Sequence, residues 1–142
     1  NPSWINMEIT ESANNVARGN MLRNMEKLQE YGVKFSLDDF GTGHSNLNYI
    51  MEMPVDIVKF DRKMVTSYFK DGKAKYVMDA AMSMIKGMDM EIVSEGIEDE
   101  NQLNVMNDLG IHYIQGFYFS KPLPQNEFID YIVNNNNKSI AY

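Results

Sequence analysis

A chain of 142 residues, 44% of them hydrophobic, has the length and the apolar content for one domain with its own core. Its net charge of -7 excludes the basic stripe on which general DNA or RNA binding depends, although an acidic protein still takes a small phosphate ester when divalent cations lie between its carboxylates and the phosphate. With no cysteine there are no disulfides and no thiolate metal sites, so any metal is left to oxygen ligands or to His44 and His112.

No apolar run approaches the roughly 18 residues of a membrane span, and the first residues carry no export-signal pattern. A cytoplasmic location is the expectation. Five short apolar segments, at residues 4–9, 33–37, 55–60, 91–94 and 112–114, read as strands separated mostly by helical patterns. That alternation predicts βα units on a parallel sheet, an α/β fold. Between the first two strands, Met21, Leu22, Met25 and Leu28 mark one face of a helix that Gly32 ends. After the second strand, Asp38 and Asp39 run into a Gly-Thr-Gly loop. Two adjacent carboxylates repel, so they read as a metal site or, equally on these residues alone, as an Asp-rich turn capping the next helix.

Further along, Val77, Ala80, Ala81, Met84, Ile85 and Met88 form a helical stripe expected to pack on the sheet. Asp99 followed by Gln102 resembles a capping box opening the helix that carries Leu103 and Met106. Pro124 starts a last helix with Phe128, Ile129, Ile132 and Val133. The domain is expected to span 1–133, with 134–142 a polar tail that frays. The 12 methionines fall mostly at helical spacing and read as core filler.

Each strand delivers a polar group at or near its C-terminal end: Glu8, then Asp38 with Asp39, then Lys59, Glu95 and Gln115. In parallel α/β folds ligands bind beyond these ends, which predicts one shared site. Glu8, Asp38, Asp39 and Glu95 are hard oxygen ligands suited to Mg²⁺ or Mn²⁺, and four carboxylates can hold two ions. Two metals suit phosphodiester hydrolysis. Lys59 adds a cation that orients water or stabilises transition-state charge, or else simply neutralises the acids around it.

The segments MEITES (7–12), DDFGTGHSNL (38–47), DIVKFD (56–61), SEGIE (94–98) and QGFYFSKPLP (115–124) resemble, in order and spacing, the C-terminal part of EAL domains, the cyclic di-GMP phosphodiesterases. The resemblance covers about 4–133 and implies a partial β/α (TIM-like) barrel of five βα units. It implies Mg²⁺- or Mn²⁺-dependent hydrolysis of cyclic di-GMP to linear pGpG. By it, Glu8, Asp38 and Asp39 are metal ligands, Glu11 holds the loop after Asp39, and Lys59 contacts the nucleophilic water. Glu95 is either general base or second-metal ligand, Gln115 supports that site, and Glu98, Phe117 and Asp61 lie near the substrate. An aromatic ring at 117 suits stacking on a guanine.

His44 and Asn46 stand where tyrosine and serine are usual, and neither change removes a ligand; His44 reads as an exposed loop histidine. The naming Glu-Ala-Leu tripeptide and the following metal-binding asparagine are expected upstream of residue 1, so the chain reads as an excised part with weak or no hydrolysis of its own. An opened barrel leaves free strand edges, and self-association through them, or through the loop after Asp39, is expected. Two other readings remain: a cyclic di-GMP receptor without cleavage, and an interaction scaffold with a vestigial site.

Overall fold

In a computed structural model, residues 1–10, 18–42 and 47–135 are described. Glu11, His44 and Asn46, and the end of the expected polar tail, lie outside the described residues.

The five apolar segments become β1 (Asn6–Thr10), β2 (Lys34–Phe40), β3 (Ile57–Phe60), β4 (Glu91–Glu95) and β5 (Tyr113–Gln115). They form one parallel sheet in the order β1-β2-β3-β4-β5, the partial, unclosed barrel expected. Parallel neighbours need crossovers. These are supplied by α1 (Arg18–Glu30), α2 (Leu47–Glu52), α3 (Arg62–Tyr68), α4 (Gly72–Gly87) and α5 (Glu100–Asp108), and α6 (Gln125–Asn135) follows β5. No helix is long and apolar enough to cross a membrane among the described residues.

Strand alternation divides the sheet into two unlike faces. Phe35, Leu37, Val58, Phe60 and Ile92 are buried with Met25, Met78, Met82, Ile85 and Met106 of the helices, so one face is the apolar core. By register the other face carries Asn6, Glu8, Ser36, Asp38, Lys59, Glu95 and Gln115. All the strand-end groups named from the sequence except Asp39 therefore share one face.

Several expectations change in detail. Trp4 lies in a 3₁₀ turn, Pro2–Trp4, rather than in β1, because Pro2 presets a helical φ and Asn1 accepts from the Ser3 N–H. β2 runs on to Phe40, which puts Asp38 and Asp39 inside the strand. The α4 stripe is turned: Met78, Met82 and Ile85 are buried, whereas Val77 is 64% exposed. Apolar residues cover more than one flank of α4, so periodicity alone fits two faces, and the long methionines fill the gap to the sheet better than valine and alanine do. α2 and α3, too short for a periodic signal, were not read from the sequence. Of the last helix's apolar residues, Phe128, Ile129, Ile132 and Val133 are all exposed.

The expected cap of α5 is present: Asp99 Oδ1 accepts from Gln102 N–H at 2.8 Å, and Gln102 Oε1 reaches back to the Glu98 N–H at 2.8 Å. At the N-terminal end of the sheet Asp56 Oδ2 accepts from Phe35 N–H (2.8 Å), tying the β3 approach to β2. His112 Nδ1 accepts from Ile92 N–H (3.0 Å) there, far along β4 from Glu95, so this histidine serves the backbone.

On the same end, Glu91 Oε2 pairs with Lys34 Nζ at 3.2 Å and Glu91 Oε1 accepts from Tyr113 Oη at 3.0 Å. Burial by itself would raise the Glu91 carboxyl, but hydrogen bonds from Tyr113 and Lys34 and the Lys34 charge outweigh it and hold it below its ordinary 4.5. A depressed carboxyl contributes stability above its unfolded value that is lost as pH falls through the lower folded one. Thermal melts of Glu91→Gln against pH are accordingly expected to lie below the wild type near neutrality, and the two curves to converge as pH drops below 4.5.

Candidate functional site

Between β2 and β3 the register slips: Leu37 pairs with Val58 and Phe40 with Phe60, so Asp38 and Asp39 together oppose the single residue Lys59. This is a β-bulge, a device that re-aims side chains at strand ends. Asp39 takes the left-handed conformation it needs (φ 58°), which aspartate tolerates better than most residues. Gly41 follows at φ 97°, and a Cβ there would lie 2.5 Å from Met64 Sδ, so the chain leaving the bulge requires glycine.

The bulge sets the centre of the site. Lys59 Nζ lies 2.7 Å from Glu8 Oε1, 3.0 Å from Asp38 Oδ1 and 2.8 Å from Glu95 Oε1. Carboxylates from β1, β2 and β4 thus converge on one ammonium from β3. Lys59 is only 7% exposed. Burial opposes its charge, but contacts with Glu8, Glu95 and Asp38 outweigh it and raise the ammonium above its ordinary 10.5, so it stays charged. Asp38 Oδ1 is buried and makes no directed hydrogen bond, so charge pairing with Lys59 is what compensates it. An acceptor of this kind, beside two further carboxylates, is a donor set that fits a hard divalent cation. In the structure the acids close on Lys59, and no three acid or histidine side chains are grouped as ligands of one metal among the described residues.

Beside this cluster lies a cleft of about 460 Å³ whose walls include Glu95, Gln115, Glu98, Phe117, Arg62 and Lys121. Gln115 pairs in register with Glu95, which brings the two strand-end groups side by side at its mouth. Phe117 is exposed, and Lys121 Nζ stands 5.7 Å from its ring centroid, in cation–π range. The cleft floor depends on Gly116: a Cβ there would fall 2.0 Å from Ile97 O, the acceptor of the Tyr118 N–H.

Of the residues singled out from the sequence, Glu8, Asp38, Lys59 and Glu95 meet directly, Asp39 shares the bulge, and Gln115, Glu98 and Phe117 line the adjoining cleft. Asp61, expected near substrate, N-caps α3 by accepting from Lys63 N–H at 2.8 Å. Arg62 and Lys121, the cleft's two cations, were missed. Each directly follows or sits inside a motif already recognised, and that adjacency was the available signal.

The open parallel sheet with acids and a lysine at its C-terminal edge defines the class: part of a β/α barrel with its site at the strand ends. The sequence pattern of the EAL domain matches residues 1–122, so the chain belongs to the EAL domain family. It is 34% identical over 104 residues to the cyclic di-GMP phosphodiesterase PdeL of Escherichia coli, a match that covers 73% of this chain and 29% of PdeL. Among solved structures it is similar to the MucR phosphodiesterase of Pseudomonas aeruginosa in complex with cyclic di-GMP (TM-score 0.79, 32% identity, 89% of this chain and 51% of that one). It is similar too to the manganese and cyclic di-GMP complex of Klebsiella pneumoniae BlrP1 (TM-score 0.76, 26% identity, 85% and 31%). The chain thus spans about half or less of the length of these relatives.

Removing the ammonium would leave three close carboxylates uncompensated. Lys59→Met in metal-free buffer is expected to lower stability by about 3–5 kcal/mol in denaturant titrations. Gly116→Ala, forcing Ile97 to yield, is expected to cost about 1–3 kcal/mol by the same measurement.

Proposed function

We propose that this chain supplies the C-terminal strands of a cyclic di-GMP phosphodiesterase that hydrolyses its substrate to linear pGpG. The observation that carries this reading is the convergence of Glu8, Asp38 and Glu95 on Lys59 at the C-terminal ends of four neighbouring strands, beside a cleft with an exposed aromatic ring and two cations. Glu8, Asp38, Asp39 and Glu95 would hold Mg²⁺ or Mn²⁺. When bound, such a pair supplies charge neutralisation on the phosphate and a lowered pKa for water.

The chain's own residues do the rest. Phe117 offers a stacking face to a guanine, and Lys121 gives positive charge beside the phosphates. Lys59 orients the attacking water through its N–H groups and balances charge developing on the phosphoryl oxygens. Water adds to one phosphorus, the bond from that phosphorus to a ribose 3′ oxygen breaks, and the water's proton ends on the leaving oxygen. Glu95 takes that proton in transit or serves the second ion, and Gln115 at its side steadies its carboxylate.

A receptor that binds cyclic di-GMP without cleaving it is an outcome of the same test. In the protein that carries this chain, Asp39→Asn is expected to lower pGpG formation, followed by chromatography with Mn²⁺ present, by about 100-fold or more. Turnover near the wild type would sink the two-metal assignment. Tight binding with no product from the wild type would establish the receptor instead.

A further inference from the structure

Arg62 opens α3 immediately after the capping Asp61, and its side chain runs across the end of β4. Gly96 makes that crossing feasible: it holds φ +75°, and a Cβ there would lie 2.3 Å from Arg62 Cγ, 2.7 Å from Cβ and 2.9 Å from Cδ. Beyond the glycine, Arg62 Nη2 meets Glu98 Oε1 at 2.5 Å. Glu98 is held from its other side too, since Gln102 Oε1 accepts its backbone N–H at the start of α5. The guanidinium thus ties the start of α3 to the start of α5 across the loop that follows Glu95.

Stability does not account for this strut. Its partners are 59% and 45% exposed, and ion pairs that open to water contribute little. Both groups line the same cleft as Glu95, Gln115 and Phe117. With one Glu98 oxygen engaged by one guanidinium nitrogen, the carboxylate is held as an acceptor at the cleft wall. An acceptor there complements the guanine edge, where N1–H and N2–H donate. It mismatches adenine, whose N1 is itself an acceptor.

We infer that Arg62 is a positioning residue that fixes the Glu98 carboxylate at the cleft wall and thereby sets the preference for guanine over adenine in the bound cyclic dinucleotide. The inference rests on the phosphodiesterase reading above. Arg62 acts through Glu98 and takes no part in proton transfer. Loss of Arg62 frees Glu98 to rotate, so binding weakens while the chemistry at Lys59 and Glu95 continues.

The test is steady-state kinetics and calorimetric binding on the protein that carries this chain, comparing wild type, Arg62→Ala, Arg62→Lys and Glu98→Ala with cyclic di-GMP and cyclic di-AMP. Arg62→Ala is expected to raise KM for cyclic di-GMP by about tenfold with kcat within about threefold, and to narrow the gap between the two dinucleotides in binding. Arg62→Lys should recover part of the loss, and Glu98→Ala in the Arg62→Ala background should add little. A kcat that falls as much as kcat/KM, or an unchanged preference, overturns the positioning role while leaving the phosphodiesterase reading intact. A folded wild type that neither binds nor cleaves cyclic di-GMP overturns that reading, and the inference with it.

Discussion

The ammonium of Lys59, held 2.7 to 3.0 Å from carboxylates of three other strands, is the interaction on which the C-terminal edge of the sheet depends. Three acids brought together on one face repel one another, and partial burial sharpens that repulsion by lowering the local dielectric. A single buried cation of fixed charge offsets it. Lysine suits the position because its point charge on a flexible stem serves three partners at different heights, where a planar guanidinium would favour one carboxylate. Stability and chemistry are joined here, since the group that permits the acids to stay close also lies where phosphate charge would develop.

The sheet achieves this by dividing its faces. Apolar side chains of β2, β3 and β4 face the helices and make the core, which leaves the opposite face free to carry polar groups from the Lys34–Glu91–Tyr113 cluster at one end to the Lys59 cluster at the other. The bulge at Asp38 and Asp39 interrupts that regularity where it matters, setting two acids against one lysine. Glycines at 41, 96 and 116 follow β2, β4 and β5 and make room for Met64 and Arg62 of α3 and for the Ile97 backbone. At 116 the neighbour is backbone, so the constraint is steric and leaves little room for relaxation.

Much of this was legible in the sequence, and for identifiable reasons. Strand-end groups could be read because a charged residue at or within two positions of the end of an apolar run marks the C-terminal end of a strand, as at Glu8, Lys59 and Glu95. The Asp99–Gln102 cap is a local signal and was readable as such. What escaped depends on tertiary geometry. The buried face of α4 was chosen by fit against the sheet among two apolar flanks, and the bulge exists only relative to β3. Arg62 became visible only once Gly96 and Glu98 were placed beside it.

As cation ligands, the acids around Lys59 take up metal through Asp38 in particular, whose inner oxygen is buried and faces the Lys59 ammonium. Titration of Mn²⁺ into the protein that carries this chain, with free ion followed by electron paramagnetic resonance, tests that most directly. Saturable uptake by the wild type that is lost in Asp38→Asn is the predicted result, and equal uptake by both proteins, or none by either, would contradict it.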